Sequence, residues 1–219
     1  MHSPSPVPDS RLRSAVLERL PRKRETVDAR AFIAVNSLPR TPYMDEQISL
    51  LSDLGKGPGW VAGSCWLAIR GGSRGRRAGV AAVAGMLAAV GLVQGPIKSL
   101  FPRRRPFATR LVIVVGKKPV DSSFPSGHTA GSFAAATALA AFYPGERPLL
   151  LLFASAVGFS RVYLGHHFPS DVLIGAGLGA LIGGGAARLA RVGYRVGHLE
   201  PGNRPAERER PARPRRYRR

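Results

Sequence analysis

The chain has 219 residues, with 33 Lys and Arg against 13 Asp and Glu, a formal net charge of +20. Its single cysteine, Cys65, excludes an intramolecular disulfide framework and a multi-cysteine zinc or iron–sulfur site, and carboxylates are too sparse for an EF-hand array. So basic a chain invites a nucleic-acid reading, but the charges crowd into the ends and a few loops, leaving long uncharged runs between them.

Residues 1–10 are rich in Pro and Ser and are expected to be unstructured, and no apolar stretch follows them, so no cleavable signal peptide is expected. Ser10 is placed to cap a short helix ending before Pro21. A second short helix is predicted over Thr26–Leu38. Crossing a bilayer takes about 20 apolar residues, so this helix is expected at the membrane interface or against the bundle. A third runs from Asp45 to Leu54. Five candidate spans follow: Leu54–Ile69, Ala78–Ile97, Ser126–Tyr143, Pro148–Leu164 and Asp171–Ala187. Ala78–Ile97 carries no charge and is too apolar all round for a soluble surface helix. Gly175, Gly179 and Gly183 recur every four residues, as do Gly91 and Gly95, a spacing that lets membrane helices approach closely.

The expected fold is all-α: an integral membrane bundle of about five transmembrane helices with short N-terminal amphipathic helices. An N-terminal extension covers 1–45, the transmembrane domain 46–195 and an Arg-rich tail 196–219. Arg188–Arg219 contains eleven Arg, three Glu and four Pro. The tail is expected to be disordered and to meet anionic lipid headgroups, with no specific nucleic-acid partner.

Polar groups at the ends of membrane spans are costly and mark function. Three such clusters occur: Lys98 to Pro106, Pro125 to His128, and Ser160 to Asp171. With five spans, all three fall on one side of the membrane. Three cations, Lys98, Arg105 and Arg161, with few acids nearby make a pocket for a dianion. Gly127 sits where a helix should begin, so backbone N–H groups can face an anion. Histidines supply an attacking nitrogen and a proton donor. Asp171, four residues after His167, can hold the proton on one ring nitrogen and free the other. These parts describe phosphoryl transfer through a phosphohistidine, without metal or cofactor.

The patterns Lys98-x6-Arg105-Pro106, Pro125-Ser126-Gly127-His128 and Ser160-Arg161-x5-His167-x3-Asp171 resemble, in order and spacing, the three signature motifs of the type 2 phosphatidic acid phosphatase (PAP2) family. That family includes lipid phosphate and polyprenyl diphosphate phosphatases and shares its site with vanadium haloperoxidases. The resemblance implies that His167 is the nucleophile, Asp171 its orienting partner and His128 the acid that protonates the leaving oxygen. Lys98, Arg105 and Arg161, with Ser126 and the Gly127 backbone, would hold the phosphate, and no metal is implied.

Arg103 and Arg104 read as a basic membrane-edge patch, because the step from Lys98 and the following Pro106 select Arg105. His166 competes with His167, but the steps from Arg161 and to Asp171 select His167. The leading expectation is a lipid phosphatase acting on a polyprenyl-linked phosphate or diphosphate. Phosphatidylglycerol phosphate and phosphatidic acid are alternative substrates. A vanadate-dependent haloperoxidase and a non-enzymatic basic membrane scaffold are the rival functions. Basic residues near the spans favour the side of the Arg70–Arg77 loop and the tail, which the positive-inside rule places in the cytoplasm. The site is then expected to face outward from the inner membrane.

Overall fold

The computed structural model describes residues 26–197. The Ser10 helix and the tail lie outside them. Thr26 caps helix α1, Val27–Asn36, its hydroxyl accepting from Ala29 N at 3.3 Å. Thr41 does the same for α2, Pro42–Lys56, with Pro42 at the first helical position. The expected span Leu54–Ile69 is broken. Gly57 and Pro58 end α2 and start α3, Pro58–Arg70, because proline cannot continue the hydrogen-bond ladder of the helix before it. At 13 residues, α3 is about 20 Å long.

Helix α4, Gly72–Leu92, continues through a π-turn at Val93–Ile97 into the short α5, Lys98–Leu100. Then come α6, Pro106–Thr109, the loop 110–126, α7, Gly127–Phe142, α8, Arg147–Tyr163, and α9, Pro169–Gly197. No strand occurs among the described residues. The stretches Gly72–Leu100 and Pro169–Val192 are long and apolar enough to cross a membrane.

Helix α7 is the axis of the bundle, packed by α4, α8 and α9. It is built from small residues, and most of them are buried. The glycine stripe of α9 lies directly on it. A methyl group at Gly175, Gly179 or Gly183 would come within 2.7, 2.2 and 2.1 Å of the Ser126, Ala130 and Ala134 carbonyl oxygens. On the same helix Leu173, Leu181 and Leu189 point outward, 71%, 76% and 75% exposed. Small residues inside and large apolar ones outside are the arrangement of a helix packed in lipid. The Gly91 and Gly95 pair does not share this role. Both face open space.

Candidate active site

Pro96 has no N–H to give, and around it α4 opens into the π-turn before closing again at Lys98. Lys98 emerges buried and pairs with Asp121. Arg105, just before α6, turns its fork onto the same loop. Nη2 donates to Asp121 Oδ1 at 2.7 Å, Nε to Asp121 O at 3.0 Å and Nη1 to His166 O at 2.9 Å. Burial opposes ionisation of Asp121, but the hydrogen bonds and charges of Lys98 and Arg105 outweigh it and hold the carboxyl at about 2. Both cations open onto a cleft of about 840 Å³ that Arg104 and Lys118 also line.

His167 is buried at 2% exposure, on the turn between α8 and α9. That turn is possible because Gly165 takes φ +83°, a conformation that a Cβ disfavours. Ser123 O lies 2.7 Å from His167 Nδ1. A carbonyl only accepts, so Nδ1 carries the proton and Nε2 keeps its lone pair. That lone pair faces Arg105 Nη1 at 3.3 Å. Burial and the charges of Arg105 and Arg161, against the pull of Asp171, push the imidazole down to about 4. His167 is therefore neutral at pH 7.

His166 is occupied at both nitrogens. Nε2 faces the Val115 carbonyl at 3.0 Å, so it holds the proton, and Nδ1 accepts from Arg161 Nη2. It orients an arginine, with a closer hold on its unprotonated nitrogen than Arg105 has on His167 Nε2. Arg161 Nη1 also donates to Ser52 Oγ at 2.7 Å, while its buried Nε has no protein partner. That donor is unspent within the protein. His128, on the first turn of α7, lies within electrostatic reach of Arg161 and of the His167 ring.

Asp171 opens α9 fully buried. It accepts from Ser123 Oγ at 2.6 Å, Phe168 N at 2.9 Å and Arg103 Nη1 at 2.5 Å. His167 Nδ1 is 3.7 Å away. Asp171 thus acts on the imidazole as a nearby charge, and the Ser123 carbonyl takes the hydrogen bond expected of the carboxylate. Ser126 N donates to Asp171 O at 3.0 Å, tying the start of α7 to α9. The Ser126 hydroxyl caps α7 through Thr129, 2.9 Å from Thr129 Oγ1. With Thr129 N–H taken by the cap, the N–H groups of Gly127 and His128 are the ones left for an anion. Ser160 bonds Val157 O at 2.6 Å and serves the helix.

Lys98, Arg105, Arg161, His128, His167, Asp171, Ser126 and Gly127 therefore gather at one end of the bundle. Four contributors were not legible from the motifs: Arg103, Asp121, Ser123 and Asp28. Asp121 and Ser123 had a signal, being the residues just ahead of Pro125 in a stretch with few acids. Arg103, read as part of a membrane-edge patch, instead joins Asp28 to Asp171.

The PAP2 superfamily profile matches residues 79–193, more than half of the chain, and the chain belongs to that superfamily, as its motifs indicated. It is 33% identical over 96 residues to the undecaprenyl-diphosphatase BcrC of Bacillus subtilis, covering 44% of this chain and 47% of that protein. It is 36% identical over 104 residues to the decaprenylphosphoryl-5-phosphoribose phosphatase of Mycobacterium tuberculosis, covering 43% and 55%. The chain spans about half the length of the curated relatives it matches.

Among solved structures, that of Aquifex aeolicus LpxE superposes with a TM-score of 0.61 at 27% identity, covering 77% of this chain and 99% of that one. The transmembrane PAP2-type phosphatidylglycerolphosphate phosphatase of Bacillus subtilis superposes at 0.54 and 22% identity, over 86% and 88%, and shows the shared fold.

Proposed function

We propose that this chain is a membrane lipid phosphatase that hydrolyses a terminal phosphate through a phosphohistidine on His167, without a metal. One observation carries the reading: a buried, neutral His167 whose unprotonated Nε2 faces Arg105, a residue that lines the cationic cleft. The substrate phosphate displaces Asp121 from Lys98 and Arg105. Its oxygens then lie against these cations, Arg161 Nε and the α7 N-terminus. Nε2 attacks phosphorus in line, and His128 protonates the leaving oxygen. Water then cleaves the phosphorus–nitrogen bond.

Polyprenyl-linked phosphates and diphosphates are the favoured substrates, supported by relatives named for undecaprenyl and decaprenyl lipids. We place α3, α4, α7, α8 and α9 across the inner membrane, with the site outward and the tail cytoplasmic on anionic headgroups. The outward leucines favour a bilayer over the soluble haloperoxidase reading.

The test is phosphate release by the purified full chain in EDTA, with polyprenyl diphosphate, phosphatidylglycerol phosphate and phosphatidic acid compared. Release in EDTA, fastest from the polyprenyl substrate, is expected. Activity lost in EDTA and restored by a divalent ion rejects the metal-free mechanism, and no release from any lipid rejects the function.

A further inference from the structure

The segment matched to the family begins at residue 79, so α1 lies outside it, yet α1 reaches the site. Asp28 Oδ1 accepts from Ser170 N at 2.9 Å. Its Oδ2 accepts from Ser170 Oγ at 2.7 Å and Arg103 Nη2 at 2.6 Å. The other arm of the Arg103 fork, Nη1, holds Asp171 Oδ1 at 2.5 Å and Ser170 Oγ at 2.7 Å. The guanidinium lies 4.4 Å over the Phe168 ring, which in turn meets Phe32 of α1 edge-on, with ring centres 5.5 Å apart. A planar fork gripped from two sides and stacked on a ring has little freedom left.

This places a fixed positive charge on the carboxylate that stands beside the proposed nucleophile. Uncancelled, the charge of Asp171 at 3.7 Å would favour the imidazolium. We propose that Arg103, anchored by Asp28, is a positioning residue that balances the charge of Asp171 and so tunes the basicity of His167 Nε2, the atom that attacks phosphorus. The inference rests on the phosphatase reading and deepens it. The other groups facing His167 are Arg105 from the loop before α6, Arg161 from α8, His128 from α7 and the adjacent His166. All of these persist when Arg103 is replaced, so a change in His167 titration reports on Arg103.

The experiment titrates His167 directly. The full chain is prepared with labelled histidine in detergent micelles, and its resonances are assigned by their loss in His167→Gln. Arg103→Gln and Arg103→Met remove the charge, and Arg103→Lys keeps it. The neutral variants should raise the His167 midpoint by about one unit, a tenfold gain in basicity. Arg103→Lys should leave it near the wild-type value. The shift is read from whichever neutral variant retains wild-type melting.

An unchanged midpoint in the neutral variants overturns the proposal, and so does an equal rise in Arg103→Lys. A purely structural role would lower turnover without moving the midpoint. The titration needs no catalysis, which separates the two claims. A chain that shows the shift but releases phosphate from no lipid refutes the phosphatase reading alone. A working phosphatase without the shift refutes the role of Arg103 alone.

Discussion

Gly179→Ala and Gly177→Ala make the same chemical change two residues apart on α9 and should have opposite effects. At Gly179 the new methyl would lie 2.2 Å from the Ala130 carbonyl oxygen and 3.0 Å from Phe133 Cβ. Carbon–oxygen contacts in proteins settle at about 3.3–3.6 Å, so α7 and α9 must part by about 1 Å along a seam that runs to the site. Backbone atoms cannot rotate away as a flexible side chain could. Overpacking of this kind costs about 1–3 kcal/mol, against a helix-propensity gain of about 1 kcal/mol for replacing glycine.

The net expectation for Gly179→Ala is a loss of up to about 2 kcal/mol. At Gly177 nothing lies within 4 Å, so only the gain of about 0.5–1 kcal/mol remains. Reversible unfolding of each variant in mixed micelles, followed by circular dichroism, reads both values. Equal shifts of the same sign would refute close helix contact as the reason for the glycine stripe.

Other perturbations probe the site. His128→Ala should cost about 10²–10⁴ in kcat on an alkyl phosphate, whose leaving group needs a proton, and much less on nitrophenyl phosphate. Equal losses on both would remove His128 from the acid role. Gly165→Ala forces a Cβ onto a residue at φ +83° and within 2.3 Å of the Ile113 carbonyl oxygen. That oxygen accepts from Asn36 at 2.9 Å. A loss of about 2–3 kcal/mol and of most turnover is expected, and wild-type melting and kcat would contradict it. Asp121 titrates at about 2 in the fold against 3.8 ordinarily. Its depressed pKa contributes stability above the ordinary value that is lost as pH falls through the folded one. Melting should therefore weaken between about pH 4 and pH 2, less so in Asp121→Asn, and identical pH profiles for the two would contradict the pairing.

Much of this site was legible because its chemistry is local in sequence. His167 and Asp171 share a short stretch, and charge-poor spans made Lys98, Arg105 and Arg161 conspicuous. The glycine stripe on α9 was readable for the same reason, since a four-residue period on one helix is a local pattern. Gly91 and Gly95 showed that the period alone does not fix a partner: the same spacing there faces open space. Leu54–Ile69 read as one stretch despite the Gly and Pro within it, and Gly57 and Pro58 divide it between α2 and α3.

The charge partners were hidden for a different reason. Asp28 is 75 residues from Arg103 and 142 from Ser170, and no periodicity links them. Only folding brings α1 onto the α8–α9 turn. Arg103 read as a membrane-edge charge because the step from Lys98 and the following Pro106 selected Arg105. Spacing could place Asp171 near His167, but not show that the Ser123 carbonyl would accept the hydrogen bond from Nδ1.

The central claim is that His167 carries phosphate covalently. Phosphohistidine survives alkali, so wild-type protein mixed with radiolabelled polyprenyl diphosphate and quenched in base within milliseconds should retain label on a histidine of the Phe159–Leu173 region. His167→Ala should retain none and release no phosphate, while His166→Ala should still be labelled. Label or turnover persisting in His167→Ala would contradict the account.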